Sequence, residues 1–294
     1  MCATPRARGA IMADAAAPAA AAPAGRRARL RTDLRHQPGF TPMAWVCIVF
    51  LYAPIAVLIA FSFNDNRSVV RWTEFSFRWY VEAFGNEGIR NATVISFQVA
   101  TVATLFSTIF ATMAALATTR TRPYRGQTLA YAIVNQPLMV PEIVTAVATL
   151  ALFTIIKKAT GITGIGYLML AHTVFCIPFA YMPIRARLED MNLTLEQAAA
   201  DLYAPPFQVF RRVTLPLLMP GIFAGVMLAF VVSLDDVIIT LLVAGPGETT
   251  LPIYILGQIR RGITPEINAV STLLLGLSLI FVTLFFLIGK QRKT

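Results

Sequence analysis

Beyond residue 40 the chain alternates long apolar runs with short polar connections. The runs lie near 42–63, 93–118, 129–156, 164–184, 217–244 and 269–289. A helix needs about 20 apolar residues to cross the ~30 Å hydrocarbon layer of a bilayer, and each run meets that length. The pattern predicts an all-α membrane protein of about six transmembrane helices. The fourth run is the most interrupted, by His172, Pro178 and Pro183. Prolines are tolerated in membrane helices whose neighbours satisfy the freed carbonyls. Composition agrees: 56% of the 294 residues are hydrophobic, 14% are charged and the mean hydropathy is +0.66. A soluble domain needs more charge than this to cover its surface.

Residues 1–40 depart from the pattern. Stretches such as Ala15-Ala16-Ala17-Pro18 and Arg26-Arg27-Ala28-Arg29 bury too little apolar surface to offset the entropy of ordering them. They predict a disordered, basic, Ala/Pro/Arg-rich tail ahead of a single transmembrane domain over 41–294. Prolines break the alanine runs, so the tail lacks the continuous apolar core of a secretory signal, and Met12 offers an alternative start.

The formal net charge of +10 raises the question of nucleic acid, but no basic face is interleaved with aromatics. The basic residues sit at the ends of apolar runs, where they act as topology signals. With the N-terminus inside, seventeen of the 25 lysines and arginines fall on the cytoplasmic side, among them Arg120, Arg125, Arg185, Arg187, Arg211 and Arg212. Eight, including Lys157, Lys158, Arg260 and Arg261, fall outside. The positive-inside rule then predicts that both termini are cytoplasmic. Cys2, Cys47, Cys176, His36 and His172 lack the spacing of a metal site or a disulfide framework. Cys47 and Cys176 read as small buried thiols, and no cofactor is expected.

The connection 185–216 is unlike the others, being polar and helical in character. Thr194 and Gln197 have capping-box spacing, which predicts that Thr194 caps a short helix over 195–203. Pro205-Pro206 interrupts the chain and suits the first turn of a second short helix, 206–212. Leu215-Pro216 leads into the fifth run. A helix–turn–helix at the membrane surface is what a docking element needs.

The same stretch carries a resemblance. Leu195-Glu196-Gln197-Ala198-Ala199-Ala200-Asp201-Leu202-Tyr203-Ala204, followed by Val213-Thr214-Leu215-Pro216, resembles the EAA loop of permease subunits in binding-protein-dependent ABC importers. The family pattern is Glu-Ala-Ala, three residues, Gly, nine residues, an aliphatic residue, one more, and Leu-Pro. Val213 takes the aliphatic position and Leu215-Pro216 falls in register. Gln197 stands where the family's Glu usually does, with Glu196 before it, and Tyr203 stands at the Gly. A left-handed residue other than Gly costs roughly 1–2 kcal/mol, so this departure bears on the loop's bend and on coupling.

Further along, Ser233-Leu234-Asp235-Asp236, Gly245-Pro246-Gly247, Thr250-Leu251-Pro252 and Arg261-Gly262-Ile263-Thr264-Pro265-Glu266 are similar to the spermidine/putrescine permeases. So are Phe61-Ser62-Phe63-Asn64-Asp65 and Val140-Pro141-Glu142. Together they cover nearly everything after residue 40 and look like the second of that system's two permease subunits. The resemblance implies a type I ABC importer permease fold in a bacterial inner membrane. Its implied partners are a second permease, a cytoplasmic ABC ATPase dimer and a periplasmic polyamine-binding protein. ATPase coupling would fall to Glu196, Gln197, Ala198, Ala199, Asp201, Leu202, Tyr203, Ala204, Leu215 and Pro216. The chain has no Gly-x4-Gly-Lys-Ser/Thr phosphate loop, so ATP is expected to be hydrolysed by another chain and this one is not read as an enzyme.

Glu142, Asp235 and Asp236 fall within predicted spans. A charge in mid-membrane costs ~2.5–3.5 kcal/mol on insertion scales, so the default reading is a substrate pathway or a pairing role. Polyamines are extended cations that carboxylates attract. Consecutive residues point ~100° apart on a helix, so one aspartate is expected to face a path and the other to hold a backbone amide or an arginine. Tyr167, Tyr181 and Tyr254 are read as an interface belt, with cation–π contacts as the alternative. Trp72, Trp79 and Tyr80 in the outer segment 64–92 are read as touching either a delivery protein or the headgroups. The rival readings are the same machine carrying an amino-acid derivative, iron or a sugar, and a secondary transporter. The second usually shows internal repeats or half-helices at the midplane, and neither is visible in the sequence.

Overall fold

The computed structural model describes residues 40–66, 71–121, 124–262 and 264–291. Of the tail predicted over 1–40, residues 1–39, with Cys2 and His36, lie outside the described residues, as do Arg67 and Arg122, and Phe40 opens the first helix. The chain divides into two compact units, Met1–Leu51 and Tyr52–Thr294. In the described residues the first contributes the opening of α1 and the second everything that follows.

Among the described residues the secondary structure is helical apart from one antiparallel bridge, Asn64 to Phe75. The helices are α1 (Phe40–Ser62), α2 (Arg78–Gly85), α3 (Glu87–Thr119), α4 (Gln127–Met139), α5 (Glu142–Thr160) and α6 (Gly166–Asp190). They continue as α7 (Thr194–Asp201), α8 (Pro206–Val209), α9 (Leu215–Asp235), α10 (Ile238–Val243), α11 (Leu251–Arg261) and α12 (Pro265–Gln291). Six helical stretches are long and apolar enough to cross a membrane: Thr41–Ser62, Glu87–Thr119, Glu142–Thr160, Gly166–Asp190, Pro206–Asp235 and Pro265–Thr283. This is a multi-pass membrane protein.

Helix α6, the run most interrupted by prolines, is unbroken and is the most buried of the six. Its neighbours explain why it holds together. One face of α9 carries Leu218, Gly221, Gly225, Ala229 and Ser233, all buried and spaced three or four residues apart. They meet His172, Cys176, Ala180 and Ile184 of α6. A Cβ on Gly225 would stand 2.8 Å from the Ala180 carbonyl oxygen, and one on Gly221 would stand 2.6 Å from Cβ of Arg187. Cys176 Sγ donates to the Ala229 carbonyl at 3.5 Å. The third wall is α3, which buries Ala100, Ala103, Ser107, Ala111 and Ala115 in the same periodic way. Lipid tails are as apolar as leucine, so helices in a membrane associate through close van der Waals packing of small residues.

Three expectations about helix boundaries need correction. The run 129–156 is two helices, α4 and α5, parted at Val140-Pro141. A residue before proline is driven to the extended region, and Val140 sits at φ −97°, ψ 139°. The run 217–244 is likewise broken, with Asp236 extended at φ −63°, ψ 133° between α9 and α10. Half-helices are therefore present although the sequence did not display them. The short helix expected at 206–212 is not separate but continues through a π-helical turn, Phe210–Thr214, into α9. Pro216 explains the turn. A proline crowds the carbonyl four residues back, and here the wider turn lets Leu215 N–H bond Phe210 O instead.

Two aromatic assignments also change. Trp79 is buried, its Nε1 donating to Asn64 O at 2.7 Å, and Tyr80 Oη meets Ser62 Oγ at 2.7 Å. These two fasten α2 to the end of α1, while Trp72 stays exposed. Tyr181 is not in an interface belt: it is 1% exposed and its hydroxyl meets Thr118 Oγ1 at 2.8 Å, joining α6 to α3.

The α6–α9 contact can be tested by overpacking. Forcing extra methylenes into a filled core costs about 1–3 kcal/mol, so Gly225→Leu is expected to lower the thermal midpoint of the detergent-purified protein. Gly276→Leu serves as the control, because nothing lies within 4 Å of a Cβ there. Equal midpoints for the two variants would contradict this account of the packing.

Candidate functional site

The three carboxylates singled out in the sequence meet different fates. Asp235 is the last residue of α9 and is exposed, whereas Asp236, one residue on, is buried. The backbone turn between them, rather than helical rotation, separates their directions. Asp236 Oδ2 accepts from Thr240 N at 2.9 Å and from Thr240 Oγ1 at 3.0 Å, and its Oδ1 accepts from Ile239 N at 3.4 Å. It thus caps α10 through orphan amides at that helix's start, as capping aspartates do. This is the amide-holding role expected for one of the pair. Glu142 is half-buried and opens α5, so it lies at a helix end rather than mid-span, where the helix dipole favours an acid. Its carboxyl is a neighbour of that of Asp236.

His172, set aside in the sequence as one of two scattered histidines, stands at the centre of this cluster. It is fully buried on α6. Its Nδ1 meets Ser233 Oγ at 2.9 Å, and its Nε2 meets Thr240 Oγ1 at 2.9 Å and Asp236 Oδ2 at 3.4 Å. The Thr240 hydroxyl proton goes to Asp236, so Thr240 accepts from Nε2–H and leaves Nδ1 to accept from Ser233. Ser233 precedes the helix break and Thr240 follows it. One ring therefore pins both sides of the break to α6. The cost of an ionisable side chain inside an apolar run was the signal that could have flagged His172.

The second site is the segment 191–214. Thr194 does not cap α7. Asn192 does, its Oδ1 accepting from Thr194 N at 3.0 Å, and Thr194 is already helical. At the other end Tyr203 has φ 60°, the one positive φ outside glycine among the described residues. Tyr203 N–H bonds Ala200 O at 2.9 Å and Ala204 N–H bonds Ala199 O at 3.3 Å, the paired bonds of a Schellman cap. The position where the resemblance calls for Gly is thus a left-handed one. Of the coupling residues drawn from the sequence, Gln197, Ala198, Asp201, Leu202, Tyr203 and Pro216 are exposed, while Glu196, Ala199, Ala204 and Leu215 are half-buried. Leu193, Leu195, Leu202, Tyr203 and Phe207 present large apolar surfaces outward, as interaction sites do. Glu196 instead turns toward its own chain, accepting from Thr214 Oγ1 at 3.0 Å and standing 3.3 Å from Arg120 Nε.

Two stability experiments follow from this geometry. Asp236→Ala removes a helix cap worth about 1 kcal/mol and leaves a buried hydroxyl and amide short of an acceptor at a further ~1–3 kcal/mol. It is expected to lower the thermal midpoint, whereas Asp235→Asn, at an exposed site, leaves it in place; the reverse order would refute the division of roles. Tyr203→Gly relieves a left-handed residue that costs roughly 1–2 kcal/mol and loses no packing, Tyr203 being 96% exposed. Its melting temperature should rise in the same assay, and a fall would show that the ring has a partner within the chain.

Comparison with known proteins bears on both sites. Residues 107–291, which include the 191–214 segment and the Asp236 cluster, match the model of the family described as binding-protein-dependent transport system inner membrane component. The putrescine transport system permease protein PotI of Escherichia coli K12 is 36% identical over 248 residues, covering 83% of this chain and 88% of that protein. The spermidine/putrescine transport system permease protein PotC of Haemophilus influenzae is 36% identical over 249 residues, covering 85% of this chain and 95% of that protein. Among solved structures, a bacterial ABC transporter that imports the acidic polysaccharide alginate superposes with a TM-score of 0.66 at 16% identity, covering 87% of this chain and 94% of that one. The methionine ABC transporter MetNI in an inward-facing form gives 0.58 at 20% identity, covering 70% and 98%. At such identities these two likenesses speak for the fold alone. The chain belongs to the family of binding-protein-dependent transport system inner membrane components and is a permease subunit of an ABC importer.

Proposed function

We propose that this permease moves polyamines, putrescine or spermidine, across a bacterial inner membrane. It would work with a second permease, an ATPase dimer that hydrolyses the ATP, and a binding protein that delivers the solute. The observation that carries the cargo assignment is the similarity over most of the chain to two polyamine permeases. A carboxylate left open at the end of an apolar helix, Asp235, fits the same cargo, since an ammonium group makes a charge-assisted hydrogen bond to a carboxylate.

In this reading both termini and the 191–214 segment face the cytoplasm. Leu202, Tyr203, Phe207 and Gln197 seat in a groove of the ATPase, and Asp235 meets the amines arriving from the other side. Import needs a path that opens alternately to each side. The ATPase drives it by binding one state of the permease more tightly than the other, because a ligand shifts an equilibrium only by its differential affinity. Asp236, Glu142 and His172 hold the shape of the path around Asp235.

The test is uptake of labelled putrescine and spermidine into proteoliposomes holding both permeases and the ATPase, with the binding protein added on the side from which it delivers. Uptake is expected to require all four components and ATP. Hydrolysis stimulated by the binding protein without polyamine uptake would discard the cargo and keep the importer. Asp235→Asn exchanges a charged for a neutral hydrogen bond, worth about 1.5–3 kcal/mol, and is expected to slow uptake roughly tenfold or more with assembly intact. Deleting 194–204 is expected to abolish co-purification with the ATPase, and a normal yield of the complex would reject the docking role.

A further inference from the structure

The Arg–carboxylate pairs of the described residues fall into two kinds. Arg78–Glu82, Arg90–Glu87, Arg185–Glu189 and Arg187–Asp190 are neighbours three or four residues apart on their own helices, each with at least one largely exposed partner. Exposed pairs of that sort contribute little. Arg120–Glu196 is different. It joins residues 76 positions apart, with side chains only 14% and 18% exposed.

Each partner is placed where its charge is already favoured. Arg120 caps the C-terminus of α3 and Glu196 lies in the first turn of α7, the two ends whose dipoles prefer those signs. The contact, 3.3 Å from Nε to Oε1, is an ion pair whose angle falls short of a hydrogen bond. The same Oε1 accepts from Thr214 in the π-helical turn that opens α9. One carboxylate oxygen therefore gathers the end of α3, the surface helix α7 and the start of α9. Gln197 and Asp201, on the same short helix, are exposed.

We propose that Arg120 and Glu196 are positioning residues that tie the surface segment to the α3–α6–α9 core, so that a displacement imposed on α7 is passed to the spanning helices. Glu196 is then a contact within the subunit and not a contact to the ATPase. The inference rests on the coupling role proposed above for the segment.

The test uses the complete complex in proteoliposomes and in nanodiscs, with Glu196→Gln, Arg120→Gln and the exchanged pair Arg120→Glu/Glu196→Arg. Both single variants are expected to co-purify with the ATPase at normal yield and to keep hydrolysis stimulated by the binding protein. Solute moved per ATP hydrolysed should fall at least about fivefold, the low end of ordinary coupling between sites. The exchanged pair should recover part of that ratio, since it restores the ion pair but sets each charge against its helix dipole and removes the acceptor for Thr214. Amide hydrogen exchange over 194–201 should quicken in the single variants and slow again in the exchanged pair. An unchanged ratio in the single variants, an exchanged pair no better than either, or loss of ATPase association in Glu196→Gln would each overturn the proposal. A wild-type complex that moves a different solute discards only the cargo, and the ratio is then read with that solute. A wild-type chain that associates with no ATPase overturns the coupling role and this inference together, before any variant is made.

Discussion

The close approach of α6 to α9 is the constraint on which the rest of the molecule depends. Within a bilayer the hydrophobic effect does not favour helix–helix contact over helix–lipid contact, so association rests on packing and on hydrogen bonds. Gly221, Gly225, Ala229 and Ser233 on α9 advance one turn at a time, and Cys176 and Ala180 on α6 answer two of them. A slip of one turn would set an Ile184 or Arg187 side chain against a residue with a Cβ of its own. The register is therefore held sterically, and it brings His172 opposite Ser233 at the end of the seam.

That placement makes the break after Asp235 tolerable. Unwinding a helix in an apolar layer leaves amides without partners, at several kcal/mol each if nothing replaces them. Asp236 supplies acceptors to Ile239 and Thr240 from inside the break, and His172 bonds a hydroxyl on either side of it. The break in turn decides which aspartate is open. With the turn, Asp236 is buried against the amides of α10, while Asp235 stays exposed at the end of α9.

How much of this could be read from the sequence depends on whether the signal is local. The six spans rest on length and hydropathy and were legible, while the left-handed position at Tyr203 came from the family pattern that places Gly there. The division at Val140-Pro141 was legible in principle, since proline restricts its predecessor, yet the surrounding apolar run masked it. The division at Asp236 was not, because no Gly or Pro marks it and its cause is a histidine 64 positions earlier. The same holds for Glu196. Its motif position suggested an outward role, and only the fold brings Arg120 and Thr214 to it. Thr194 failed for the opposite reason: a correct capping spacing lost to a nearer competitor, Asn192.

The two candidate sites lie at opposite ends of one rod. From Leu215 to Asp235 helix α9 runs without interruption, about 30 Å at 1.5 Å per residue. Its first residues are tied to the surface segment through Thr214 and Glu196, and Arg187 of α6 donates to the Leu217 carbonyl at 3.0 Å. Its last residue is the open carboxylate. The irregular backbone lies beyond both ends, in the π-helical turn before Leu215 and the extended residue after Asp235, where the bonding pattern changes and bending is cheapest. Within the helix Pro220 removes one ladder donor, and the packing of Gly221 and Gly225 against α6 supports the backbone on either side of Ile222 to Ala224. Under the coupling role proposed above, motion at the surface segment would reach Asp235 along α9 and the seam it shares with α6.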